Sequence, residues 1–298
     1  MPITCCQRTT TKKLRKIDPT RTLSIRKAFV SEMKRRFKKL KAEIKRAIVD
    51  LDVFAIEKKE VKTNLSERQF QFSTSAEKID RFMEWLQEMV NQHVLEVRKI
   101  VGLRGRGNRA WMDVYIQSAY RKGVGKAFGE LKRLGIPGYE KGIEEGITGA
   151  FNRPFHADRL GIIYSRDFQK LKKITGEMSG QISDVLAEGM GKGLGVEQIA
   201  RDVVDRVDKI GVARSATLAR TEVVHAHAEA NLNEFEVAGI EGVNLQAEWL
   251  TAGDGLVCPL CLEGERKNPY TIEEARGLVP RHPNCRCVWI PYTKEWES

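Results

Sequence analysis

The chain has 298 residues, 41% of them hydrophobic and 31% charged, with six cysteines and a formal net charge of +11. That length can bury two domains or one large one, and the composition fits a soluble protein rich in exposed helices. No run of eighteen apolar residues occurs, so no helical membrane span is expected. The opening "MPITCCQRTTTKKLR" lacks the apolar segment of a secretory signal, which makes a reducing cytoplasm the expected compartment.

The charge is concentrated at the start. Residues 1–46 hold sixteen Lys/Arg against three Asp/Glu, a balance of +13, and the remainder sums to −2. A basic arm of this kind reads as a contact for nucleic acid or an acidic protein face, or as a solvated helix face with surplus lysines. Within it an apolar stripe begins: Val30, Met33, Phe37, Leu40, Ile44, Ala47, Leu51 and Phe54. The alternating three-and-four spacing predicts a long amphipathic helix. A second stripe, Ile79, Phe82, Leu86, Met89, His93, Val97 and Ile100, predicts another helix, with Ser75 and Lys78 as an imperfect cap. The pair should pack together or against a partner.

A Gly/Arg loop, "VGLRGRGNRA", then leads to a helix from about Trp111. Residues 135–155, with two prolines and five glycines, read as a long irregular connection. A third stripe runs from Leu160 to Val185 and stops at the glycines of "EGMGKGLG". Two more helices follow, over 196–210 and 212–239, the second ending at Gly239. Beyond Gly242, "NLQAEWLT" and "CRCVWIPY" read as strands, and "TIEE" from Thr271 has capping-box spacing. The expected fold is mainly α (α+β), divided as a basic arm and amphipathic helix over 1–60, a helical region over 61–174, and a last domain over 175–298. Neither "RKGVGKAF" nor "GMGKGLG" has P-loop spacing.

Four of the six cysteines lie within the last forty-one residues. "CPLC" spaces Cys258 and Cys261 for one tight turn, and "HPNC" repeats that spacing with His282 and Cys285, giving C-x2-C-x20-H-x2-C. Two such turns suit a tetrahedral structural zinc ion. Cys287 is a fifth candidate. If 285–287 is extended, alternation sends its two sulfurs to opposite faces, so the preferred ligands are Cys258, Cys261, His282 and Cys285, with Cys287 as substitute. A disulfide and unmetallated thiols are the alternatives. A site of Cys and His alone is closed, so it holds structure and does not catalyse.

"HAE" at His227–Glu229 followed by CxxC also suggests a zinc deaminase, in which one His and two Cys hold a catalytic zinc beside an acid–base Glu. That motif needs Pro before the first Cys, where Val257 stands, and it leaves "HPNCRC" unexplained. No catalytic residue is assigned, and the expectation is a protein that is not an enzyme.

The pieces "LAEGMGKGLGVEQIARDV", "ARTEVVHAHAEAN", "AEWLTAGDGLVCPLC" followed by Gly264, and "RHPNCRC" together resemble the phage Mu F-like minor head proteins, also called head morphogenesis proteins. The resemblance covers roughly 175–298. It implies a minor capsid protein of a tailed phage, located in the virion at the capsid interior or portal vertex and in the host cytoplasm during assembly. The implied partners are the portal and major capsid proteins, with a role in head assembly and DNA packaging or delivery. Double-stranded DNA would be met through the basic arm. Within the triplet at 220–222, Arg220 and Glu222 are expected to serve in a buried or semi-buried ion pair or cap, and Trp249 to pack behind the cysteine turns.

Overall fold

The computed structural model describes residues 18–56, 74–100, 107–140, 142–240 and 245–293. These residues are mainly helical and form two compact units, each assembled from separated stretches of chain. Of the described residues, one unit takes those within 18–29, 112–167 and 217–293, and the other those within 30–111 and 168–216.

The second unit is built on α1 (Leu23–Lys45), which turns through a π-helical segment at Arg46–Asp50. Its stripe behaves as the spacing predicts as far as the π turn, since Met33, Phe37, Leu40 and Ile44 are fully buried. α2 (Ser75–His93) buries Phe82, Leu86 and Val90, and Phe54 packs on Phe82 with ring centroids 5.2 Å apart. The start of α2 differs from expectation by one position. Thr74 is the N-cap and Glu77 closes a capping box, because only a hydroxyl and a carboxylate can satisfy both orphan donors. Its end differs more. The helix stops at His93, and β1 (Val97–Ile100) pairs antiparallel with β2 (Gly107–Ala110). A β-branched pair before a glycine-rich run satisfies the hairpin better than another helical turn. The Gly/Arg loop at 101–106 lies outside the described residues. Arg36 fixes this region: it bonds Glu32, Glu96 and the carbonyl of His93, and its guanidinium lies 4.1 Å from the Trp111 ring centroid.

The first unit contains α3 (Asp113–Arg133), α4 (Ile143–Asn152), the start of α5 (Pro154–Gly191) and most of α7 (Ala213–Ile240). The irregular connection expected over 135–155 is largely helical. Glu144 and Glu145 favour the N-terminus of α4, Pro154 opens α5 where no N–H is needed, and Gly146 is required for packing. A Cβ at Gly146 would lie 2.3 Å from the Phe128 ring. The α6 helix (Val196–Arg206) passes through a second π segment, Val207–Val212, into α7.

The C-terminal module is a two-stranded antiparallel sheet, β3 (Gln246–Leu250) with β4 (Val288–Tyr292), in which Trp249 faces Trp289 in the register. Between the strands come α8 (Pro259–Arg266) and the single turn α9 (Ile272–Ala275), capped by the Thr271–Glu274 box that the sequence predicts. β4 packs on α3, so the module shares the core of Phe128, Leu131, Val224 and Phe235.

Candidate metal centre

Each half of the cysteine cluster is made by a local turn. Cys258 is the N-cap of α8 and Pro259 its first residue, so the helix begins directly after the sulfur. The Cys261 amide donates to the Cys258 carbonyl at 3.0 Å, and the Cys285 amide donates to His282 in the same way at 3.1 Å. Asn284 takes a positive φ of 66° to complete the second turn. Both pairs are therefore presented by four-residue turns, the first opening a helix and the second closed by the left-handed Asn284, which is why the repeated x2 spacing reads so directly.

The turns are pinned to one another. Arg286 forms a two-pronged bond to Asp254 at 2.6 and 2.7 Å, which holds the Asp254 carboxyl below the usual carboxylate range. Asn268 bonds the amide and carbonyl of Trp249, and Glu265 accepts from the amide and hydroxyl of Thr251. Trp249 lies against α8 at Gly264, where a Cβ would come within 3.0 Å of the indole. It packs behind the cysteine turns as expected.

At the centre, Cys258 Sγ and Cys261 Sγ lie 3.3 and 3.1 Å from His282 Nε2, and Cys261 Sγ lies 3.9 Å from Cys285 Sγ. Two donor groups result, Cys258–Cys261–His282 and Cys261–Cys285–Cys287, with the donor atoms of each within 4.8 Å of one another. Cys261 belongs to both. Sulfur at about 2.3 Å and nitrogen at about 2.0–2.1 Å from a tetrahedral ion stand roughly 3.6–3.8 Å apart. The donors are thus at coordination spacing, and their Cys/His chemistry fits a metal ion. His282 Nδ1 lies 2.8 Å from the Pro283 carbonyl; with the proton there, Nε2 faces the sulfurs as a lone pair. The expected opposition of Cys285 and Cys287 does not occur. Residues 285–287 precede β4 and are not extended strand, so both sulfurs reach Cys261.

Without metal, thiols donating to Cys285 from Cys261 and Cys287 hold its pKa down at about 2, while Cys287 is pushed up to about 12. The surrounding space is only about 10 Å³, room for one water-sized sphere and none for a substrate.

The deaminase constellation is not brought together. His227 lies in neither donor group; it is buried on α7, and burial together with the nearby Lys126 cation lowers its pKa to about 3. Glu229 is occupied otherwise, accepting from Arg276 at 3.1 Å and from the Gly277 amide at 3.1 Å. Arg276 also bonds Asn233 at 2.9 Å and pairs with Glu236. This carboxylate ties the module to α7.

Buried polar pairing on α7 extends further than the sequence suggests. Glu222 is an ion-pair member, and its partner at 2.6 Å is Arg166 of α5. Arg166 also donates to Asp167, whose pKa burial and the adjacent Glu222 raise well above the ordinary range. Arg220 donates to Thr217 at 3.2 Å. Deeper still, His156 is fully buried between Tyr120 at 2.9 Å and Glu234 at 3.0 Å, and Glu234 also accepts from Tyr139. Sequence periodicity carries no signal for Arg166–Glu222, Tyr120–His156, His156–Glu234 or Tyr139–Glu234, whose partners are far apart in the chain.

Residues 180–290 match the family model described as Phage Mu protein F like protein. Comparison with the curated proteins and with the solved structures finds no match.

Proposed function

We propose, taking the phage Mu F-like head morphogenesis family of residues 180–290 as the premise, that the chain is a minor head protein that joins the portal vertex during procapsid assembly. The observation that carries this reading is the family match over the segment that contains both the α7 network and the cysteine turns. On this reading the cluster holds one structural zinc ion, with Cys258, Cys261, His282 and Cys285 as ligands. The metal fastens residues 245–293, whose own apolar core is small. A closed set of protein ligands and the lack of substrate space argue for structure over catalysis. Pull-down of portal protein from cells assembling procapsids tests the assembly role. Recovery of this chain with portal-containing particles is the expected result, and free soluble chain alongside complete procapsids contradicts it.

A second reading, contact with packaged DNA, is favoured by one observation. The face of α1 opposite its core, with the first residue of the π turn, exposes Lys34, Arg35, Lys38, Lys39, Lys45 and Arg46. Over this stretch no large apolar side chain is exposed, whereas a protein-docking surface carries apolar or aromatic anchors and is depleted in lysine. Rows of cations, with Arg35 held by Glu32, suit phosphates without base reading. Truncation through residue 46 would be an unsound test, because it removes the buried Met33, Phe37, Leu40 and Ile44. Combined Lys34→Gln, Lys38→Gln and Lys45→Gln keeps the core, and should flatten the slope of log affinity for duplex DNA against log salt by about 3. An unchanged slope removes the DNA contact from this face.

A further inference from the structure

Cys261 belongs to two donor groups, one completed by Cys258 and His282 and the other by Cys285 and Cys287, so five donors stand where a tetrahedral ion takes four. We propose that Cys287 is a reserve ligand for the fourth position, which His282 holds in the resting protein. The inference rests on the metal reading above.

The geometry distinguishes the two contenders. His282 stands at the rim, partly exposed, on a turn whose next residues Pro283 and Asn284 are themselves exposed. Cys287 stands on the inner side, 3% exposed, directly before β4 and fixed by the sheet pairing that begins at Val288. Both reach the same sulfur, Cys261, from opposite donor groups. The rim donor is therefore the one that an approaching partner, a proton or an oxidant meets first. The inner donor is shielded and already placed. The indole N–H of Trp249 has no oxygen or nitrogen acceptor and faces Cys287, so a thiolate formed there would gain a donor.

The exchange balances simply. The metal–nitrogen bond to His282 breaks and leaves a neutral imidazole, the Cys287 thiol releases its proton to water, and a metal–sulfur bond forms. The centre changes from three thiolates and one imidazole to four thiolates. It gains one negative charge, while the ion stays bound and His282 is freed at the surface. A single loss at the rim then does not open the module.

Cobalt(II) is the probe, because thiolate-to-cobalt absorption counts sulfur ligands. The full chain, stripped of metal and titrated with cobalt, is compared with His282→Ala, Cys287→Ser and the double variant. The wild type and Cys287→Ser should bind one equivalent with matching spectra of three thiolates. His282→Ala should still bind one equivalent, with stronger thiolate absorption, and only the double variant should lose affinity, by about a hundredfold or more. Circular dichroism of each apo form confirms that the helices are intact. Two results overturn the proposal: His282→Ala losing metal as fully as the double variant, or Cys287→Ser alone losing thiolate absorption. If the wild type binds no cobalt, it is the metal reading itself that fails.

Discussion

Removing the Glu229 carboxylate would leave Arg276 with Asn233 and Glu236 but strip the Gly277 amide of its acceptor. Glu229→Ala should therefore cost about 1–3 kcal/mol in chemical denaturation, since the Gly277 amide loses its acceptor and a part-buried charged pair loses one partner. Metal content should stay at the wild-type level, because no ligand is touched. Loss of metal in that variant would mean that Glu229 belongs to the centre. Asp167 supplies a pH test. Its folded pKa is raised, so the native state binds the proton more readily than the unfolded chain does. Stability from this group is fully present below the unfolded carboxyl pKa of about 3.9, and is lost as pH rises through the folded value. Asp167→Asn, permanently neutral beside Glu222, should equal or exceed wild-type stability at neutral pH and close that gap in mild acid. A gap that widens in acid would show that the carboxylate is the favoured form. The cysteine spacing was legible because each turn is made within four residues. The Arg166–Glu222 pair was not, because its members are 56 residues apart and either could have been a surface charge.

Along the elements, the stripe on α1 is a statement about burial, and Phe37 at its centre has no exposure. Phe37→Ala should cost about 3–5 kcal/mol by opening a cavity. A cost below about 1 kcal/mol would place that face outside the core. Gly146→Ala should destabilise α4 through overpacking against Phe128, by roughly 1–3 kcal/mol. The same substitution at a solvent-facing helix glycine such as Gly149, where nothing lies within 4 Å, should stabilise by a few tenths of a kcal/mol to about 1 kcal/mol. These helices explain what periodicity can and cannot deliver. It found α1, α2 and α5 because their apolar faces recur at helical spacing, whereas α7 is buried on nearly every side and carries no such stripe. It missed α4 because glycines that serve packing look the same in sequence as glycines that serve turns. It carried α2 through Val97 and Ile100 because both positions continue the stripe, yet the backbone there pairs as β1. The π segments at Arg46–Asp50 and Val207–Val212 have no distinguishing pattern either.

For the molecule as a whole, helices supply most of the folded structure, the Arg276–Glu229 pair ties the last module to α7, and on the proposed reading a metal ion joins the two cysteine turns inside that module. The family model covers 180–290, so the head-assembly reading draws on that segment, while the basic face of α1 stands on charge and exposure alone. Metal removal should then loosen residues 245–293 and their packing on α3 and α7, while α1, α2 and α6 persist, because the core that includes the donors draws on α3 and α7 and, among the described residues, on none of those three helices. The direct test is elemental analysis of protein purified without chelator, together with a count of free thiols under denaturing conditions. The account predicts about one zinc per chain, with Cys258, Cys261, Cys285 and Cys287 all reduced. Less than about a tenth of an equivalent of any metal, with these cysteines paired as disulfides, would contradict it.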